Sequence, residues 1–141
     1  MVTNNPLVKK KAGKKYHVVF VEGGYRDVLI KVRDMVHIGH TLYTHPLAGS
    51  IKPNQTPYRT VALSAEIREF SMEDSQIISN SITACDKFAP PRSFSKKTLK
   101  DLQPADISLI WTCITITART TKRKFLWWTA DLRRIKTDCI R

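Results

Sequence analysis

The chain has 141 residues, which is enough for one domain with a sizeable core and leaves little room for a second. Apolar residues make up 42% of it but occur only in short runs, so no segment is expected to span a membrane. The net charge of +12 at pH 7 favours anionic partners in general without specifying a fold.

The first forty residues predict strands and helices in alternation. Residues 1–3 and 16–23 are expected to form strands, and the continuous apolar run "VVFV" in the second is typical of a strand buried on both faces. Pro6 is suited to begin a short helix between them. A longer helix follows, with Gly39 as its C-terminal stop. It is indicated by apolar residues at helical spacing: Val28, Leu29, Val32, Met35 and Val36.

The middle of the chain predicts two further strands around a long loop. The strands are expected at residues 40–44 and 58–65. Between them lies "THPLAGSIKPNQTPY", residues 44–58, which holds three prolines and many polar side chains. Loops of this length without structure of their own are uncommon in compact domains and are usually functional or disordered. The loop is therefore a candidate functional segment.

The last third predicts helices and a final strand. Ser71 and Asp74 form a capping box for a helix that Pro90 ends. A short helix is expected at residues 95–103, before a proline. Residues 106–118 are expected to form the last strand, because isoleucines and threonines alternate near its end.

This order of elements predicts a single small α/β domain at residues 1–118. Its sheet is expected to be largely parallel and Rossmann-like, flanked by helices in a three-layer arrangement. Residues 119–141 form a basic C-terminal extension with a charge of +6, half of the total, and two adjacent tryptophans, Trp127 and Trp128. The extension is interpretable as an added helix, a basic arm or a non-native reading of the end of the gene, and its sequence does not choose among them.

Polar clusters follow each of the first three predicted strands. The carboxyl ends of parallel strands meet at one edge of a sheet, where such folds bind ligands. We therefore expect the clusters to form one pocket for a small polar or anionic ligand. The candidate residues supply amides, hydroxyls, backbone N–H groups or positive charge: Thr3, Asn4, Asn5, Gly23, Gly24, His45, Ser50 and Lys52.

Each cluster also has a structural explanation. The pair Asn4-Asn5 suits a turn that caps a helix beginning at Pro6. The pair Gly23-Gly24 suits any tight turn from strand to helix, and it completes neither a GxGxxG nor a Walker pattern. His45 can act as an acid, a base or a donor, or it can bond the backbone of a loop held rigid by its prolines.

Two other classes of function compete with ligand binding. The sequence shows no nucleophile–base pair, paired carboxylates or metal-ligand cluster, and it indicates no particular cofactor, so no catalytic residues are assigned. An enzyme with His45 as its acid–base group remains an alternative without a partner for that histidine. A nucleic-acid-binding module is the stronger alternative, using the basic segments 9–15 and 119–128, although no known binding motif is present.

Three segments resemble the GrdX family: "VTNNPLV", "VEGGYRDVLIKVRDMVHIGH" and "THPLAGSIKPNQTPYRTV". The resemblance covers roughly residues 1–110. It implies a cytoplasmic accessory protein encoded with the glycine, sarcosine or betaine reductase genes of amino-acid-fermenting anaerobes, with glycine reductase components as partners. It transfers no catalytic residues. The three widely spaced cysteines also suit a reducing cytoplasm, because they form no CxxC and no even disulfide set.

Overall fold

The computed structural model describes residues 1–49, 51–89 and 93–120, with side chains described as far as residue 116. Its three strands have two residues each, whereas its four helices have 7, 14, 15 and 25 residues. In chain order the elements are β1 (Val2–Thr3), α1 (Pro6–Ala12), β2 (Val19–Phe20), α2 (Tyr25–Ile38), β3 (Thr60–Val61), α3 (Met72–Asp86) and α4 (Lys96–Thr120).

The sheet is mixed, with strand order β2-β1-β3. β1 pairs in parallel with β2 and antiparallel with β3, where Val2 lies opposite Val61. Beyond β3, Leu63 forms an isolated antiparallel bridge with Leu42. Residues 40–44 therefore bring the chain back along the sheet, and loop 44–58 acts as the turn of a long hairpin. A parallel β3 would need a crossover connection, and residues 44–58 contain no helix to supply one.

The expectation of a largely parallel, Rossmann-like three-layer sheet is thus wrong, and the predicted final strand is wrong too. Residues 106–118 lie in the second half of α4, and the predicted helix at 95–103 is its first half. The buried residues of α4 are Ile107, Ile110 and Ile114, whose spacing is helical. The alternating threonines fit a helix because Thr115 bonds the carbonyl of Trp111 at 2.8 Å, four residues earlier.

One face of the sheet is covered by α2 and α3 and is aliphatic. Val2 and Val61 pack there against a cluster that includes Val28, Leu29 and Ile78, each of which has no exposed surface. The apolar stripe predicted for α2 is the one that it buries. Gly39 ends α2 with a positive φ of 117°, and a Cβ at this position would collide with the carbonyl oxygen of Arg68.

The other face is covered by α1 and α4. Val8 and Ala12 of α1 pack against Ile107, and Ala62, just after β3, packs against Ile110 and Ile114. Thr3 and Thr60 also turn toward α4, so this face of the sheet is partly polar. Among the described helices, none has the length and apolarity needed to cross a membrane.

Candidate functional site

A chain of buried hydrogen bonds runs from the end of β1 to α4. Thr60 Oγ1 donates to Asp106 Oδ2 at 2.7 Å, and Thr3 Oγ1 lies 2.7 Å from Thr60 Oγ1. Since the single hydroxyl proton of Thr60 goes to the carboxylate, Thr3 is the donor to Thr60. The backbone N–H of Asn5 in turn donates to Thr3 Oγ1 at 3.0 Å. The chain ends on a carboxylate that is only 5% exposed.

Asn5 fixes the start of α1 to the middle of α4. Its Oδ1 accepts from the backbone N–H of Leu7 at 3.0 Å, which is the helix cap that the sequence offered as an alternative to a ligand site. Its Nδ2 donates to Gln103 O and to Asp106 Oδ2, both at 3.0 Å. Asn5 is fully buried, so all these bonds form inside the protein.

Asn4 ties together three separate parts of the chain. Its Nδ2 donates to Gly23 O at 3.0 Å and to Pro57 O at 2.7 Å, and its Oδ1 accepts from the backbone N–H of Arg59 at 2.8 Å. The end of β1, the turn before α2 and the end of loop 44–58 therefore meet at one buried amide. The side chain fixes the backbone on which Arg59 is carried.

Arg59 is a buried cation around which loop 44–58 folds. It is 5% exposed, its Nη1 donates to Ala48 O at 2.7 Å, and its Nη2 donates to His45 O at 3.1 Å. The guanidinium lies 5.7 Å from the ring of Tyr25. Burial raises the pKa of Tyr25, and the positive charge of Arg59 opposes this effect only in part. The buried Nε has no hydrogen-bond partner among the residues that the structure describes. A buried donor without a partner is costly and requires an explanation.

A small cavity separates loop 44–58 from α4. It is lined by Thr44, Ala48, Arg59, Thr60, Asp106, Leu109, Ile110 and Cys113. Its volume of about 10 Å³ is close to the room that one water molecule needs. Both hydrogen bonds to Asp106 reach Oδ2, and no described residue donates to Oδ1. Arg59 and Asp106, which both line the cavity, thus each have one polar atom, Nε and Oδ1, without a hydrogen-bond partner among the described residues.

Of the predicted residues on the loop and at the glycine turn, those that the structure describes do not line this cavity. His45 is exposed, and its Nδ1 accepts from Leu47 N at 3.1 Å. Lys52 is also exposed, with its backbone N–H bonded to the side chain of Gln55 at 3.2 Å. Ser50 lies outside the described residues.

The glycine turn before α2 is occupied by a carboxylate of the same helix. Gly24 N donates to Asp27 Oδ2 at 2.7 Å, which satisfies a backbone N–H that an anion would otherwise bind. Gly23 has a φ of 153°, and its carbonyl is held by Asn4. Ligand binding at Gly23 and Gly24 stays a prediction, as it does for the other candidate residues.

Sequence reasoning did not single out Arg59, Thr60 or Asp106. A usable signal was present, because Arg59 and Asp106 both stand in segments that were predicted to be strands and are otherwise rich in apolar residues. Charged side chains are almost never fully buried unless they are paired, so a charge inside an apolar segment marks a polar cluster or an error in the predicted element. Here both explanations hold, since residue 106 lies in a helix rather than a strand.

These features define a small protein with a three-stranded mixed sheet, helices on both faces and a buried polar cluster on one of them. A family model described as GrdX-like protein matches residues 1–115. The chain belongs to the GrdX-like family, as the three resembling segments predicted. The match includes every strand, the first three helices, and both Arg59 and Asp106. No curated protein and no solved structure matches the chain.

Proposed function

We propose that this protein is an accessory protein of the glycine reductase system that binds a small dipolar ligand between loop 44–58 and α4. Family membership and the family name support the association with that system, and its cytoplasmic location follows from the same association. One observation carries the ligand assignment: the buried Arg59 Nε has no partner among the described residues, and Arg59 and Asp106 line the same cavity.

The two charges restrict the chemistry of the ligand. A bare anion is attracted by Arg59 but repelled by Asp106, and the reverse holds for a bare cation. A molecule with an acceptor oxygen for Arg59 and an N–H donor for Asp106 satisfies both, and such bonds are strong because both partners are charged. Glycine is the smallest amino acid that has both groups. It is the ligand that we assign to this site.

Glycine is larger than the cavity, so binding requires loop 44–58 to move away from α4. The loop packs closely against the helix at Gly49, where a Cβ would lie 3.0 Å from Leu109 Cδ1. Arg59 is the side chain that holds the loop, through the carbonyls of His45 and Ala48. A ligand carboxylate that bonds Arg59 would compete with these carbonyls and so couple binding to loop opening.

The residues predicted from the sequence take two roles in this proposal. Thr3 and Asn5 position Asp106, and Asn4 positions the backbone of Arg59. Lys52 and His45 are exposed on the loop, where the positive charge of Lys52 would attract a carboxylate before it enters. Gly23, Gly24 and Ser50 remain candidates for contacts with the ligand in the opened state.

A thermal-shift experiment with three matched probes tests the assignment. Glycine carries both groups, acetate carries only the acceptor and methylammonium carries only the donor. We expect glycine to raise the melting temperature of the wild type most. Asp106→Asn should abolish the difference between glycine and acetate, whereas the control Asp101→Asn, an exposed aspartate of the same helix, should keep it. Equal responses to all three probes, or an unchanged glycine response in Asp106→Asn, would contradict the assignment.

Nucleic-acid binding remains the second candidate, and no contact in the described residues favours it. In the basic segment 9–15, Lys9 lies 4.7 Å from the ring centre of Phe20 and Lys15 lies 5.8 Å from that of Tyr16. Tyr16 also packs against Trp111 at 5.7 Å. These rings are engaged with neighbours in the fold rather than arranged as a stacking platform. Binding of single strands with a steep salt dependence would reverse this preference.

A further inference from the structure

An exposed apolar patch lies at the end of α2. We define it as Ile38, Ile67, Phe70 and Met72, which are 62%, 62%, 49% and 72% exposed. Two contacts bring Ile67 and Phe70 to the end of α2, and Met72 follows Phe70 as the first residue of α3. Ile67 lies against Gly39, the residue after Ile38, and the Phe70 ring centre is 5.9 Å from that of His37. Contiguous exposed apolar groups of this size mark interaction surfaces more often than isolated ones do.

The apolar patch is bordered by acidic residues, although the protein is strongly basic. Residues 64–74 contain four acids (Glu66, Glu69, Glu73 and Asp74) against the single base Arg68, a net charge of −3 in a chain of +12. Arg68 is already paired with Glu66 at 3.1 Å. The C-terminal end of α2, which carries partial negative charge, adds to this field. The patch therefore fits a partner that is both apolar and basic.

The described part of α4 ends on the same side of the molecule as the apolar patch. Asp106 bonds Thr60, and further along the helix Ile114 packs with Ala62, so α4 and β3 run in the same direction. Past Ala62 the chain continues directly to Ile67 of the patch. The 21 residues that follow Thr120 can extend about 70 Å, several times the radius of gyration of a domain of this size.

We propose that residues 121–141 dock on the apolar patch of their own chain. This segment contains seven Lys or Arg against two Asp, together with the apolar run "FLWW" at 125–128. The basic side chains complement the acidic border, and the two tryptophans supply a large apolar surface that can cover the exposed side chains of the patch. A contact of this kind depends on both parts, so it weakens when either the apolar or the charged component is removed.

The test uses the full-length protein and the N–H signals of its three tryptophan indoles in ¹⁵N NMR spectra. Ile67→Ser and Phe70→Ser each remove part of the apolar patch, and Phe88→Ser is the matched control at the opposite end of α3. We expect the Trp127 and Trp128 signals to shift in both patch variants. In a separate measurement, the quenching of tryptophan fluorescence by acrylamide should rise in the same two variants. The control should leave the signals and the quenching unchanged, and the signal of Trp111, whose indole nitrogen is buried, should stay constant in all variants.

Two further measurements complete the test. Raising the salt concentration should shift the Trp127 and Trp128 signals in the same direction as the patch variants, because the charges of an exposed contact are screened. Dilution should change nothing, since the contact is within one chain. Signals that ignore Ile67→Ser and Phe70→Ser would overturn the proposal. So would signals that move on dilution, which would make a second copy the occupant.

Discussion

The two faces of the sheet are built from alternate residues of the same strands, yet they differ in chemistry. Val2 and Val61 face α2 and α3, where every neighbour in the cluster is apolar. Thr3 and Thr60 face α4 and begin the hydrogen-bond chain that ends on Asp106. The aliphatic face stabilises the fold through burial alone, which requires no particular partner. The polar face requires specific partners, and it leaves groups on Arg59 and Asp106 unused.

This comparison explains why the candidate site lies on the side of α4. Aliphatic packing offers a ligand no directional interaction, whereas buried charges in a region of low dielectric bind a complementary group strongly. The polar face also carries loop 44–58, whose carbonyls are held by Arg59. Stability and binding are thus assigned to opposite faces of one small sheet, and substitutions on the two faces should have separable effects.

The largest effect is expected on the aliphatic face. Leu29→Ala removes a fully buried side chain from the cluster on α2 and should lower the free energy of unfolding by about 3 kcal/mol. Lys31→Ala is the control on the same helix, and because Lys31 is exposed it should change stability by less than about 0.5 kcal/mol. Urea denaturation measures both. Similar losses for the two variants would contradict the assigned core.

A smaller but still large effect is expected at the polar centre. Asn5→Ala removes the cap of α1, the side-chain donor to Gln103 O and one of the two donors to Asp106 Oδ2, so it should cost about 2 kcal/mol. Asn80→Ala is the control, an exposed asparagine in α3 bonded only to Gln76 within its helix. Urea denaturation of both variants decides whether the polar face contributes to stability. Equal stabilities would contradict it.

A third effect tests the contact between the loop and α4. Gly49 has a φ of 111°, so Gly49→Ala should cost about 1 kcal/mol in backbone strain and add a collision with Leu109. Adding Leu109→Ala to this variant removes the collision but not the strain. A double-mutant cycle on unfolding free energies therefore separates the two causes. Strict additivity of the two substitutions would show that the loop does not approach the helix at this point.

The smallest effect concerns an exposed ion pair outside the aliphatic face. Arg26 of α2 donates to Asp86 of α3 at 2.6 Å, and this hydrogen bond lowers the pKa of Asp86. A carboxyl group whose pKa is lowered on folding stabilises the folded state at pH values above its unfolded pKa of about 3.9. This stabilisation is lost as the pH falls through the lower pKa that the group has in the folded state. The melting temperature of Asp86→Asn should therefore approach that of the wild type below about pH 4. A constant difference across pH would contradict the pair.

Local patterns predicted the first three helices, because each carries its own signals. Apolar residues at helical spacing marked α2, Gly39 marked its end, and Ser71 marked the start of α3, where its side chain accepts from Asp74 N. The alternation of isoleucine and threonine in α4 suggested a strand, because β-branched residues favour strands when packing is unknown. The helix forms because Ile107, Ile110 and Ile114 find partners on the sheet, and the sequence does not display those partners.

The sheet direction and the site were only partly predictable for a related reason. Thr3, Asn4 and Asn5 were identified as polar residues at a strand end, and the structure places them in one buried cluster. Their bonds to Arg59 and Asp106 span 55 and 101 positions of the chain. No local pattern specifies such pairings, so the sequence could name one half of the cluster but not the other.

One measurement tests the ligand site most directly: the side-chain Nε–H signals of arginine in ¹⁵N NMR spectra during titration with glycine. Arg26 and Arg33 are internal controls, because their Nε atoms are already bonded to Asp86 and Asp34. If glycine binds in the cavity, the Arg59 signal shifts and saturates while the two controls stay fixed. An Arg59 signal that does not move at glycine concentrations that raise the melting temperature would place the ligand elsewhere and contradict the assigned site.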